Sequence, residues 1–240
     1  MGQRTRSGVL AFCLTTCVMS VFLGATAQAQ VVTASSVLKD ATLAIAKQGS
    51  VHVLFVAHSG SPLKIEKITA DVGTTSGTEA IVEGNAIVTI RLTTTDAYVS
   101  GDLSGLTTLF GMSSADAKKV GKDWESWKSG TGQYSNLKSD LTLSSVTALL
   151  PRVKGTELST VVTDGAQLYV LKWTIPATNS LPKLSNTLTV STGLLTLPVV
   201  ETATASGGTK VTTTLSNWGE RVSVNSPPVA STIASSKITG

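Results

Sequence analysis

The stretch Thr78 to Gly101, TEAIVEGNAIVTIRLTTTDAYVSG, constrains this chain more than any other, because it alternates clearly on both sides of a tight-turn dipeptide. Ala86, Val88, Ile90 and Leu92 share one parity and Ile87, Thr89, Arg91 and Thr93 the other, the period-two signature of a strand with one buried face. Gly84-Asn85 supplies the turn, since such a pair enters positive φ without steric cost. The stretch ends on Tyr98-Val99-Ser100-Gly101, and the rest of the chain is read as leaning on it.

Ahead of the hairpin, Val37, Leu38, Ala41, Ala44 and Ile45 recur at spacings of three and four, which predicts an amphipathic helix over 34–48, capped by Ser35 or Ser36 and ended by Gly49. The strand predicted over 50–58 is apolar on both faces, with Val51, Val53, Phe55 and Ala57 on one and Leu54 and Val56 on the other. Both faces are therefore covered, or one meets a ligand. A strand over 63–72 completes a four-strand antiparallel meander.

After Gly101 the pattern becomes helical. Helices are predicted over 103–110, over 114–122 with Ser113 or Ser114 as cap, and over 141–150, where Pro151 stops the last. Strands return over 160–163, 167–174, 187–192, 195–202, 210–216 and 221–224. Runs of strands flanking a helical insert argue an α+β fold.

Residues 1–29 read as a signal peptide, with Arg4 and Arg6 ahead of the apolar run Val9 to Leu23 and small residues at its close. Type I processing is the expected route. Cys17 fits a lipid-attachment site poorly, since Thr16 precedes it and an apolar run follows, and lipidation there is the lesser alternative. Both cysteines, Cys13 and Cys17, fall inside this segment, so a processed chain has no disulfide, thiol nucleophile or cysteine metal site. The expected organisation is a signal peptide over 1–29, one domain over 30–225 and a flexible tail over 226–240. A secreted or cell-envelope location follows.

The net charge is +4, and removing Arg4 and Arg6 leaves 17 basic against 15 acidic side chains, too even for a nucleic-acid footprint. Ser-x-x-Lys occurs at Ser36, Ser61, Ser135 and Ser180, but its four copies lack the partner motifs of penicillin-recognising enzymes. His52 and His58 lie about 20 Å apart along one strand, too far for a shared metal. Asp71, Asp96, Asp102 and Asp164 adjoin predicted turns, where carboxylates accept backbone hydrogen bonds. Trp124, Trp127, Trp173 and Trp218 are read as core or rim anchors before pocket walls. No catalytic residue, metal site or cofactor is expected, and the chain is not read as an enzyme.

The order of motifs resembles the LppX/LprG family of actinobacterial lipid-binding envelope lipoproteins, which share a fold with the lipoprotein carrier LolA. The resemblance rests on Ala97-Tyr98-Val99-Ser100-Gly101, Ala115-Asp116-Ala117-Lys118 leading to Trp124 and Trp127, and Tyr134 with Leu141-Thr142-Leu143. It continues through Leu188-Thr189-Val190-Ser191, Leu197-Pro198-Val199, Asn217-Trp218-Gly219 and Pro227-Pro228. It implies a curved antiparallel half-barrel with short helices over its concave face, enclosing an apolar cavity for the acyl chains of a lipid or lipoglycan, with a membrane surface as a further partner. Val53, Phe55, Val88, Ile90, Leu92, Leu106, Phe110, Val146 and Leu150 are placed along that cavity by parity and helical spacing. A non-enzymatic interaction module with a filled core is the alternative and a hydrolase the third; a monomer is expected.

Overall fold

The structure is a computed structural model that describes residues 31–60, 64–178 and 182–238. The segment read from sequence as a signal peptide, including Cys17, lies outside the described residues. Helix α1 spans Ala34–Gln48. Its cap is Thr33, not Ser35 or Ser36: the Thr33 hydroxyl accepts from the Ser36 amide and the Ser36 hydroxyl accepts from the Thr33 amide, a reciprocal capping box. Gly49 ends the helix at φ +76°, where a side chain would be strained.

The strands are β1 (Ser50–Ser59), β2 (Lys64–Gly73), β3 (Gly77–Glu83), β4 (Ala86–Leu92), β5 (Asp96–Gly101), β6 (Trp124–Lys128), β7 (Glu157–Thr163), β8 (Ala166–Ile175), β9 (Leu184–Ser191), β10 (Pro198–Ala205), β11 (Lys210–Ser216) and β12 (Thr232–Ala234). They form a single open sheet in the order β12-β6-β5-β4-β3-β2-β1-β11-β10-β9-β8-β7. Two meanders, β1 to β6 and β7 to β11, are joined where β11 pairs antiparallel with β1, His52 facing Ser216 and Phe55 facing Thr213. Every neighbouring pair is antiparallel except β12 and β6.

Between the meanders lie a π-helical turn (Gly105–Leu109), α2 (Ser114–Val120), α3 (Gly132–Asp140) and α4 (Leu143–Ala148). These cover one face of the sheet. Val51, Val72, Val88, Ile90, Leu92, Ala97 and Val99 meet Leu106, Val120, Tyr134, Leu137, Leu143 and Val146 there, forming the larger core. The π turn sits close: a Cβ on Gly105 would fall 2.1 Å from the Ile87 carbonyl oxygen. Tyr134 fastens α3 by donating to the Thr93 and Thr94 carbonyls, 3.0 Å from each. The sheet and its covering helices make an α+β half-barrel with helices on its inner face.

A smaller core joins Val37, Leu38 and Ala41 of α1 to Leu171 of β8 and Leu188 and Val190 of β9. Here α1 is the main cover. The helix expected over 103–110 is present over 103–109, its last five residues as the π turn, and β6 and α3 stand where the sequence shows only aromatics and a loop.

Residues 221–224 are not a strand. They belong to a strap across the outer face of the first meander: Gly219 donates to Ser50 O (3.0 Å), Arg91 to Asn225 O (3.4 Å) and Tyr98 to Ser226 Oγ (3.1 Å). The segment expected as a flexible tail is docked. It places β12 beside β6 and buries Ile238 in the larger core, with Lys119 donating to the Ile238 carbonyl. Each of these backbone partners removes freedom that an unattached tail would keep.

Candidate functional site

Where α4 ends, the chain runs out over the inner face of the second meander. Pro151 stops the helix, and residues 148–155 overhang β8, β9 and β10 without closing on them. The space beneath is a groove of about 570 Å³. Its apolar wall is Ala148, Leu149, Leu150, Trp173 and Ile175, with Arg152 and Lys154 exposed along it. Leu150 is the hinge of the arrangement, packing against both cores.

Register shows why two polar side chains stand inside the groove. Residues facing one another across an antiparallel pair lie on the same face. Leu188 faces Leu171 on one side and Glu201 on the other, and Asn186 faces Trp173 and Ala203. Glu201 and Asn186 are thus carried inward by the parity that buries Leu188 and Val190. Burial pushes the Glu201 carboxyl up to about 6, because a desolvated carboxylate is disfavoured against its neutral form. Asn186 is only 5% exposed, and its Nδ2 has no hydrogen-bond partner among the described residues. An orphaned buried donor costs about 1–3 kcal/mol.

A second inward carboxyl, Glu79, faces Ala70 and Ile90 under the helical cover. Burial, and then the nearby carboxylates of Asp140 and Glu66, push it up to about 7. It belongs to the packed side of the molecule.

The nine side chains placed along a cavity by the sequence divide. Val88, Ile90, Leu92, Leu106 and Val146 come together, each 3% exposed or less, as filling of the larger core. Val53 and Phe110 are half-buried at its margin, Phe110 with its ring 5.8 Å from that of Trp127. Phe55 is half-buried on β1 between Ile68 and Thr213. Leu150 alone of the nine lines the groove. Trp173 does as well, whereas Trp124 stacks under Arg91 at 4.6 Å and Trp218 donates from its indole nitrogen to Pro198 O at 3.1 Å. Asn186 and Glu201 were not anticipated, although each is a polar residue at an inward parity.

On the outer face, His52 Nδ1 lies 2.7 Å from Asp71 Oδ1 in a polar hollow of about 230 Å³ with Thr78, Asn217, Glu220, Arg221 and Ser223. Among the described residues no hydroxyl bonds to His52, and no group of three His, Cys, Asp or Glu side chains is placed to hold a metal. Two of the carboxylates beside turns have local partners. Asp102 accepts from the Ile87 and Gly105 amides, and Asp96 accepts from Thr95 and pairs with Lys128 at 2.7 Å. Ser36 and Ser135 are spent on helix starts, and Ser61 and Ser180 lie outside the described residues.

No family model and no curated protein matches this sequence. Among solved structures, the chain is similar to the lipoprotein LppX of Mycobacterium tuberculosis, with 18% identity over 80% of this chain and 98% of that one and a TM-score of 0.49. It is also similar to MucB in complex with MucA of Pseudomonas aeruginosa (14%, 79% and 58%, TM-score 0.37). An outer membrane lipoprotein-sorting protein domain of Vibrio parahaemolyticus follows (8%, 77% and 92%, TM-score 0.26). None of these likenesses says what this chain binds.

Proposed function

We propose that this protein is an extracytoplasmic lipid carrier, not a catalyst, which leaves its signal segment behind and holds the acyl chains of a lipid or lipoglycan in the groove between half-barrel and helices. The observation that supports this reading best is the groove's union of an apolar wall with an unpartnered amide at Asn186. Its volume falls in the range of about 300–1,000 Å³ common to small-molecule sites. Each acyl methylene removed from water contributes about 0.8 kcal/mol, so Leu149, Leu150, Trp173 and Ile175 can hold a chain without any charged contact. An ester or hydroxyl oxygen of an amphiphile would answer the amide, which a bare hydrocarbon cannot do. Arg152 and Lys154 stand where a headgroup would emerge.

The test is native mass spectrometry of the protein purified from its own envelope, followed by organic extraction. The expected result is a retained amphiphile that is lost from Leu150→Asp while the fold persists. A folded Leu150→Asp variant with unchanged lipid content would refute the groove as its place.

The packed side favours a second reading. Because Val88, Ile90, Leu92, Leu106 and Val146 fill the half-barrel near β4 and β5, a protein that refuses every added lipid would be an interaction module standing on a self-filled core.

A further inference from the structure

The sheet has two edges, and they are finished differently. At one, β12 is three residues long and is flanked by 3-10 turns at Val229–Ser231 and Ser235–Lys237. At the other, β7 offers seven residues, paired to β8 along its length without a register shift, and among the described residues its second side pairs with nothing. A row of unpaired N–H and C=O groups recruits another strand unless charge, proline or a bulge blunts it. β7 has no proline or bulge, its one charged residue is Glu157 at its first position, and its interior reads Leu-Ser-Thr-Val-Val. Val161 and Val162 are 42% and 69% exposed there.

We propose that β7 pairs antiparallel with β7 of a second copy about a two-fold axis at Thr160, giving a reversible homodimer through one continuous sheet. An isologous contact requires a surface complementary to itself. Centred on Thr160, the pairing sets Glu157 against Thr163, Leu158 against Val162 and Ser159 against Val161, so no like charges face each other and each exposed valine gains a cover. Leu158 belongs to the inner face, where it packs on the smaller core, and Val162 of the second copy arrives on that same face. A shift by one residue would set the inner face of one copy against the outer face of the other.

The groove adjoins this contact. Gly155 lines it, just before β7 begins, and continuing the register brings Asp164-Gly165 of the second copy alongside Thr156 and Gly155. Seven paired residues give an interface well below the standard size of about 1,600 Å², so the dimer is weak and its population follows concentration. It stands whatever the groove holds, and it departs from the monomer expected from sequence.

Sedimentation velocity over a concentration series is expected to show a monomer–dimer equilibrium. Thr160→Lys and Thr160→Glu each place like charges face to face at the axis and are expected to raise the dimer Kd several-fold, while their equimolar mixture re-associates because Lys then faces Glu. Thr160 is exposed, so neither change disturbs packing. In the unsubstituted chain, amide hydrogen exchange over 157–163 slows as concentration rises. A chain monomeric at every concentration, a dimer indifferent to both substitutions, or a mixture that stays apart overturns the proposal, and the first of these leaves the edge to a strand of another protein.

Discussion

The two meanders share one sheet but not one kind of interior. Over β1 to β6, the π turn and α2 to α4 bring Leu106, Val120, Tyr134, Leu137 and Val146 down onto Val88, Ile90 and Leu92, and the space is filled. Over β8 to β10 the cover is α1 and an overhanging loop, and a groove remains with a carboxyl and an orphaned amide in its wall. Curvature alone therefore does not leave a groove. What decides is how many apolar side chains the covering segment delivers.

The sharpest way to break this contrast is to empty each side in turn. Leu92→Ala, at a fully buried site in the larger core, is expected to lower stability by about 4–5 kcal/mol, near the upper end for such truncations, measured by urea unfolding. Leu171→Ala, equally buried but in the smaller core, is expected to lose about 2–3 kcal/mol, because solvent and the groove can take up the change. Equal losses would mean that the two interiors are packed alike. Gly105→Ala is expected to destabilise by about 3 kcal/mol, since its methyl group meets the Ile87 carbonyl and backbone cannot give way as a side chain can.

The carboxyls sharpen the contrast through pH. Glu79 has its pKa raised from 4.5 to about 7, so the stability tied to its neutral form is fully present below pH 4.5 and is lost as pH rises through 7. Glu79→Gln is expected to remove that slope and to stabilise the protein at pH 8 by about 2–3 kcal/mol, read from denaturation at pH 4 and pH 8. On the proposed carrier reading, Glu201 acts on the ligand instead. Neutral below about 6 and charged above, it is expected to make lipid retention several-fold stronger at pH 5 than at pH 8, and Glu201→Gln should flatten the difference in a fluorescent fatty-acid displacement assay. The smallest effect is expected at Thr33→Ala, about 1 kcal/mol from the lost cap of α1, visible as a lower Tm.

Much of this fold was legible locally. Val37, Leu38, Ala41, Ala44 and Ile45, read as one helical face, are the buried residues of α1, and the Gly84-Asn85 hairpin holds the register that alternation requires. What failed was local signal without enough apolar contrast. α3 has only Tyr134 and Leu137 to bury, and β6 is too short for alternation to declare itself. Residues 221–224 alternate like a strand but pair with none among the described residues, because the strap crosses the strands instead of joining them. At the groove, the inward parity of Asn186 was visible beside Leu188 and Val190, but only the pairing of β9 with β8 and β10 shows what it faces.

The seam between β1 and β11 has a consequence for how the chain comes to its shape. Its partners stand near opposite ends of the domain's sequence, as His52 and Ser216 do, so the sheet has high contact order and its completion is expected to be slow. A chain emerging amino end first can assemble β1 to β5 early, yet β1 must then wait with one side unpaired until the residues around 210 arrive. During that interval, a strand that ends in the middle of the finished sheet is an open edge of the nascent one.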